Sequence, residues 1–441
     1  MTNQRLLDEL VEWLSIPSIS SGGGDPEDLL RAAQWAEARI RRAGGDAEVQ
    51  TAGGNPLVVG ELRCKDPDAP TVLIYGHYDV QSPDPLDAWT TPPFEPTTRD
   101  GRLYARGAAD DKGNFYPLLY VACELAAAGE LPVNVRILIE GEEEVGGTSA
   151  ADWVESDPRG AACAIVFDSD MLDEHTPAIT LGARGMVAAR IDVRTAPRDL
   201  HSGMYGGSVY NAVHVLHGML AAVLPGPDGR LRDELRAGIQ DPTPEELVAW
   251  KELPQGDDVI AEVGATPLTD HSGAEYYPRN WGDSSIDVTG FAGGDAVQLR
   301  TIVPAFAQAK VAMRLAPGQD SAEMARVLEG LLRDAAPEAA DIDLSFGYAD
   351  AAVFDPRDPA LVIAKEALEA ACGTAPALVR TGGSLPVLAA FARQGIPTIF
   401  SGFALAQDAF HAPDESYRLE SLRLGEASAR ELYARLASLS P

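Results

Sequence analysis

The sequence predicts an α/β fold: a domain built on a mostly parallel mixed sheet flanked by helices, interrupted by an inserted α+β domain. Three observations carry this. The 441 residues exceed what one ordinary core organises, so two domains are expected. Short apolar runs alternate with helical stretches, the pattern of strand–helix–strand units. The character then changes near Gly182 and reverts after about residue 354.

Residues Arg5 to Leu14 place Leu6, Leu7, Leu10, Val11 and Leu14 on one helical face. A Gly-rich turn precedes a second helix, Pro26 to Arg42, which Gly44 and Gly45 stop. Thr71 to Tyr75 reads as a buried parallel strand ending at Gly76-His77. Asn114 to Ala128 reads as a helix, Val133 to Ile139 and Ala164 to Phe167 as strands. Beyond Gly182 the pattern gives a strand (Met186 to Val193), a helix (Tyr210 to Val223), a turn-rich acidic stretch (Pro225 to Asn280), a strand (Ala307 to Leu315) and a helix (Ser321 to Ala335). Leu361 to Ala371, the strand Pro397 to Phe400 and a helix from about Ser421 to Ala437 return to the first domain. The expected domains are 1–183 with 355–441, and an insertion over 184–354.

The formal net charge of −32 argues against nucleic acid, which needs clustered Lys and Arg. There is no apolar run of about 18 residues, so no membrane span is expected. The first helix carries Asp8, Glu9 and Glu12, unlike a secretory or organellar leader, and a cytoplasmic location is expected. Cys64, Cys123, Cys163 and Cys372 form no C-x-x-C, which disfavours a thiolate metal site and a disulfide framework. Any metal would therefore be held by His and carboxylates.

Such residues gather where the strands end. His77-Tyr78-Asp79 sets an imidazole two residues from a carboxylate that could fix its tautomer. Arg106-Gly107-Ala108-Ala109-Asp110-Asp111-Lys112-Gly113 puts adjacent carboxylates in a tight turn, either a solvated loop opening a helix or part of a cation site. Glu142, Glu143 and Glu144 follow the next strand, and Asp168 and Asp170 the one after it, where they could equally be turn formers. His411 lies in a loop beyond the last strand. Each motif alone is weak. Together they line one edge of one predicted sheet, where ligands of open α/β sheets bind, and they offer the nitrogen and oxygen donors that zinc takes.

The order His-x-Asp, Gly-x-x-Asp-Asp-Lys-Gly, Glu-Gly-x-Glu-Glu, Asp and a late His resembles the M20 family of metallopeptidases along nearly the whole chain. Leu200-His201-Ser202-Gly203, Gly206-Gly207, Arg314-Leu315-x-Pro317 and Gly382-Gly383-Ser384-x-Pro386 resemble its cytosolic nonspecific dipeptidase and carnosinase branch. The resemblance implies a zinc-exopeptidase-like catalytic domain and an inserted lid and dimerisation domain. It implies two Zn²⁺ per subunit, with Mn²⁺ or Co²⁺ as alternatives. His77 and Asp168 would bind one ion, Glu144 and His411 the other, and Asp110 both, with the Asp110–Asp111 bond cis. Asp168 is preferred to Asp170 by its spacing to Gly182-x-Arg184-Gly185. Asp79 would orient His77, and Glu143 would be the base that activates a metal-bridging water. His201 would act in the partner's site of a homodimer, Arg314 would hold the substrate carboxylate, and Gly382, Gly383 and Ser384 would line the pocket. The implied reaction is cleavage of dipeptides and very short peptides. An N-acyl amino acid deacylase or a carboxypeptidase of the same family is the alternative. A non-catalytic binding protein would be expected to have lost Glu143 or a ligand, and a Ca²⁺ protein would use oxygen donors alone.

Overall fold

Four apolar runs become the centre of a sheet because they can be buried on both faces. Thr71–His77 pairs in parallel with Asn134–Glu140 on one side and Cys163–Phe167 on the other, and Thr398–Gly402 pairs in parallel with Cys163–Phe167. Every residue of Cys163–Phe167 and Thr398–Gly402 is buried, as parallel strands covered by helices require. The computed structural model describes residues 3–51, 53–295, 297–383 and 385–439. Antiparallel strands flank these four on both sides. Leu57–Leu62 and Asp46–Gln50 extend one edge, and Ala178–Ala183 pairs with Thr398–Gly402 at the other. The sheet is thus mixed, with its parallel part in the middle.

The chain divides into two compact units. The first takes Met1–Leu181, Phe354–Val379 and Leu385–Pro441; the second takes Gly182–Val353 and Arg380–Ser384. The segment Arg380–Ser384 groups with the second unit, whereas the sequence reading kept it in the first. Its reason is local: Arg380, buried, donates to the Glu246 carboxylate at 2.7 Å and to the Trp281 carbonyl at 3.0 Å.

In the first unit, Asn3 caps Gln4–Leu14 by accepting the N–H groups of Arg5 and Leu6, and the helix buries Leu6, Leu10, Trp13 and Leu14. Asp25 caps Pro26–Arg42, with proline in its first turn. The helix Lys112–Ala128 begins two residues before the sequence expectation, directly after Asp110 and Asp111, and ends at Gly129 in the left-handed region. Pro359–Cys372 and Leu419–Leu436 are helices.

The second unit has a four-stranded antiparallel sheet in the order Ser285–Gly293, Phe306–Leu315, Gly185–Arg194, Asp341–Ala349. One face carries Val187, Ile191, Val193, Val311 and Met313, packed with Leu216 and Met219 of the helix Ala212–Ala221 and with Leu328 and Leu332 of Ser321–Asp334. The stretch expected to be mostly turns also contains short helices. Thr243 and Glu246 form a capping box on Pro244–Ala249, and Gly256–Glu262 and Tyr276–Gly282 follow. Among the described residues no helix is long and apolar enough to cross a membrane.

Candidate metal centre

The chemistry-bearing residues sit where the central parallel strands stop. His77 is the last residue of its strand, Asp168 follows Cys163–Phe167, and Glu143 and Glu144 form a turn just after Asn134–Glu140. Asp110 lies in the loop that opens Lys112–Ala128, and His411 in the loop after Thr398–Gly402. Two groups of three ligand atoms result, each within 4.8 Å of one another: His77, Asp110 and Asp168, and Asp110, Glu144 and His411. Asp110 belongs to both. Its Oδ1 lies 3.1 Å from His77 Nε2 and its Oδ2 lies 3.0 Å from His411 Nε2, so one carboxylate faces two imidazoles with separate oxygens. Glu144 Oε2 is 3.1 Å from His411 Nε2. Asp168 Oδ1 and Glu143 Oε2 stand 4.0 and 3.9 Å from His77 Nε2. Asp170 is in neither group; it is exposed, and its backbone bridges to Ala404.

Local sequence explains this precision. The Asp110 loop turns tightly because Gly107 has φ of 82° and a Cβ there would meet Val80 at 2.7 Å. A Cβ on Gly113 would strike the Ala108 carbonyl oxygen at 1.9 Å. The Asp110–Asp111 peptide bond is cis. The His411 loop holds three non-glycine residues in the left-handed region, Ala409, His411 and Asp414, an uncommon conformation that surrounding contacts must hold. Asp414 accepts from the Thr90 N–H at 2.8 Å and the Thr90 hydroxyl at 2.6 Å.

Asp79 differs from the expectation in part. The oxygen nearest His77 Nδ1 is the Asp79 backbone carbonyl, at 3.0 Å, with the Asp79 carboxylate at 3.4 Å. With Nδ1 engaged, Nε2 is left facing the cluster. The Asp79 carboxylate also accepts the N–H groups of Glu143 and Glu144, at 3.3 and 3.1 Å, and the Ser20 hydroxyl at 2.6 Å. It therefore places the Glu143–Glu144 turn as well as His77.

Five buried or half-buried carboxylates and two imidazoles leave an excess of negative charge. Burial pushes the Asp168 carboxyl well above its ordinary range, with Asp110, Glu143 and Glu144 adding to the effect against the pull of His77. Glu143 is raised in the same way, by burial and by Asp110, Glu144 and Asp79, again against His77. Burial disfavours the His77 cation, but hydrogen bonds to Asp110 and Asp79 override it and raise its pKa. Hydrogen bonds to Asp110 and Glu144 push His411 up to about 10. Burial would raise Asp110 too, but its hydrogen bonds with His411 and His77 override this and hold its carboxyl below the ordinary range. A buried set of mixed nitrogen and oxygen donors of this kind fits transition-metal cations.

Four polar residues to which the sequence reading gave no role brace this cluster. Gln81 Nε2 donates to Glu144 Oε2 at 2.9 Å and to its carbonyl at 3.1 Å. Asn114, almost fully buried, donates to the Ser169 carbonyl at 3.1 Å and accepts from Phe403 N–H and the Tyr417 hydroxyl. Arg106 and Glu415 form a buried ion pair at 2.7 Å. Gln81 lies two residues beyond Asp79 of the His77 motif, so proximity in sequence was the available signal; the other three act across hundreds of residues or from within a helix. Glu142, the additional acid of the Glu-rich turn, accepts the N–H groups of Asn55 and Ser149 at 3.0 and 2.9 Å and does not enter either ligand group.

The remaining expected residues are in the second unit. His201 ends the strand Leu200–His201, is exposed, and its Nδ1 accepts from the Gly203 N–H at 3.0 Å. Arg314, half-buried on Phe306–Leu315, sits opposite Ser285 and Met186, and its guanidinium has no hydrogen-bond or ion-pair partner among the described residues. Gly382 and Gly383 are exposed. Ser384 lies outside the described residues.

The chain is 28% identical over 441 residues to a cysteinylglycine-S-conjugate dipeptidase of Corynebacterium striatum, covering 96% of this chain and 94% of that protein. Among solved structures it is similar to an M20 family metallo-carboxypeptidase of Sulfolobus solfataricus (TM-score 0.85, 26% identity, 98% and 99% coverage). It is also similar to human carnosine dipeptidase 1 (TM-score 0.76, 25% identity, 99% and 96% coverage). Residues 73–435, which run from the strand carrying His77 to the last helix, match the model of Peptidase family M20/M25/M40, and the chain belongs to that family.

Proposed function

We propose that this protein is a two-metal dipeptidase acting on dipeptides and very short peptides. The observation that carries the reading is the Asp110 carboxylate, whose two oxygens face His77 and His411 at 3.1 and 3.0 Å. His77, Asp110 and Asp168 would hold one ion, and Asp110, Glu144 and His411 the second. Zn²⁺ suits these donors best, with Mn²⁺ or Co²⁺ as alternatives. Bound divalent ions would polarise the scissile carbonyl and lower the pKa of the attacking water.

The chain's own residues supply the rest. Glu143, close to His77 but outside both ligand groups, takes the proton of the attacking water and returns it to the leaving amine. Asp79 keeps Glu143 in reach by holding the backbone of its turn. His201 of a second copy, in a homodimer, contributes to stabilising the developing oxyanion. Arg314 engages the substrate carboxylate, for which its unpaired guanidinium is suited. Burial and the Arg314 charge lower the neighbouring Arg184 to about 10, a repulsion that a bound carboxylate would relieve. Gly382 and Gly383 would line the substrate pocket, and the insertion 184–354 would serve as lid and dimerisation domain. The four free cysteines accord with a reducing, cytoplasmic setting.

The likeness to the Sulfolobus metallo-carboxypeptidase favours a second reading, in which longer peptides are trimmed from the carboxyl end. Metal analysis of the purified protein, with hydrolysis of dipeptides, longer peptides and N-acetyl amino acids measured with and without chelator, tests both. Two ions per chain and chelator-sensitive cleavage of dipeptides are expected. Preference for longer peptides or for N-acetyl amino acids would reject the dipeptidase reading.

A further inference from the structure

We propose that Glu415 is the positioning residue that sets the spacing between Asp110 and His411, and with it the affinity for the second ion. The inference rests on the two-metal reading above. Glu415 is fully buried and belongs to neither ligand group. Its carboxylate is surrounded by donors from the Asp110 loop. Oε2 accepts from Arg106 Nη1 at 2.7 Å and from the Gly107 N–H at 3.0 Å. Oε1 accepts from the Ala109 N–H at 2.8 Å and from the N–H of Asp110 itself at 3.1 Å. The Ala105 N–H adds a bond to the Glu415 carbonyl at 3.2 Å.

Glu415 is also four residues beyond His411 on the same loop. Arg106 returns to that loop by donating to the Ala412 carbonyl at 3.3 Å, and to the Ser82 carbonyl at 3.3 Å. One carboxylate thereby fastens the backbone carrying Asp110 to the backbone carrying His411, about 300 residues apart in sequence. The fastening has a purpose that general stability does not supply. A buried ion pair is a weak source of stability compared with apolar residues of the same volume, because both charges must leave water. What an apolar pair could not do is engage the N–H groups of 107, 109 and 110 and so fix where the Asp110 carboxylate stands. His411 needs such an anchor because its own backbone is left-handed.

The test compares zinc binding, by equilibrium dialysis and calorimetry, in the full chain and two variants. Glu415→Gln keeps the shape but turns an amide donor toward the donors of Arg106 and Gly107. Arg106→Met breaks the same ion pair yet leaves three backbone donors on Glu415. Thermal melting of the metal-free proteins measures the structural cost of each. Glu415→Gln is expected to weaken the second ion by roughly tenfold or more, the range seen when groups supporting a metal ligand are removed. Arg106→Met, which keeps the three backbone donors on Glu415, should weaken the second ion several-fold less than Glu415→Gln does at a similar melting temperature. Equal losses in the two variants, tracking stability, overturn the proposal, as do two ions at parental affinity in Glu415→Gln. If Glu415→Gln does not fold, Glu415→Asp is read by the same criterion: it keeps the charge but withdraws the carboxylate by one methylene. A parent protein that takes up fewer than two ions brings down the two-metal reading together with this one; two ions in the parent and no change in the variants bring down this one alone.

Discussion

The two units bury neighbouring residues on a strand in opposite ways. In the first, Ala164, Ile165, Val166 and Phe167 are all fully buried, so both faces of the strand meet apolar neighbours. In the second, Gly185–Arg194 and Phe306–Leu315 alternate, with Val187, Ile191, Val311 and Met313 inside and residues such as Arg190 and Lys310 outside. A strand covered on both faces has one open place for polar chemistry, its end. An antiparallel strand with one wet face offers polar positions along its length. The candidate site residues follow this division. His77, Asp110, Glu144, Asp168 and His411 are gathered at strand ends and held by buried polar braces, whereas His201, Gly382 and Gly383 are exposed and the Arg314 guanidinium has no partner among the described residues.

Removing the proposed base should break the first unit's chemistry without breaking its assembly. Glu143→Ala is expected to lose roughly 10²-fold or more in turnover, the scale of general-base catalysis, while retaining two ions. Turnover near the parental value would remove Glu143 from that role. His201→Ala is expected to be nearly as severe. Mixing it with Glu143→Ala and allowing subunits to exchange should restore roughly a quarter of parental activity, since about half the dimers are mixed and each holds one complete site. No recovery in verified mixed dimers would mean that His201 does not serve a second copy.

The contrast also explains what could be read in the sequence. Thr71 to Tyr75 and Ala164 to Phe167 were legible because a fully buried strand is a continuous apolar run, and the His or Asp that interrupts it marks the edge of the sheet. The Asp110–His411 pairing was legible only through resemblance, because nothing local links two loops about 300 residues apart. For the same reason nothing in the sequence singles out Glu415, though it accepts four hydrogen bonds from the Asp110 loop. The helices between 244 and 282 were missed because each spans about two turns, too short for apolar periodicity to emerge. Thr243-Pro244-Glu245-Glu246 did carry a start signal, the spacing of a capping box.

A smaller effect is expected from the partnerless guanidinium. Arg314→Leu should lower kcat/KM roughly 10- to 100-fold for a dipeptide with a free carboxylate, the worth of a charge-assisted bidentate contact. It should change hydrolysis of the same dipeptide amide much less. Equal losses on both would place Arg314 in the structure of its sheet and not in substrate recognition.

The burial contrast itself can be tested at adjacent residues, and this is where the smallest effect lies. Ile165 and Val166 are fully buried neighbours facing opposite sides of their sheet. Ile165→Ala should cost about 2–5 kcal/mol, and Val166→Ala, which removes less, about 2 kcal/mol. In the second unit Val311→Ala should likewise cost about 2 kcal/mol, but Lys310→Ala, one residue away on the wet face, should stay within about 0.5 kcal/mol of zero. Because a chain with two compact units need not unfold in one step, the measurement is hydrogen exchange read separately at the amides of each sheet. The decisive comparison is between neighbours: two large costs in succession at 165 and 166, against one large and one negligible at 311 and 310. A negligible cost at Val166 would mean that one face of the central sheet is not packed. A large cost at Lys310 would mean that the outer face of the second sheet is covered by something other than water, and a second copy of the chain would then be the first occupant to test.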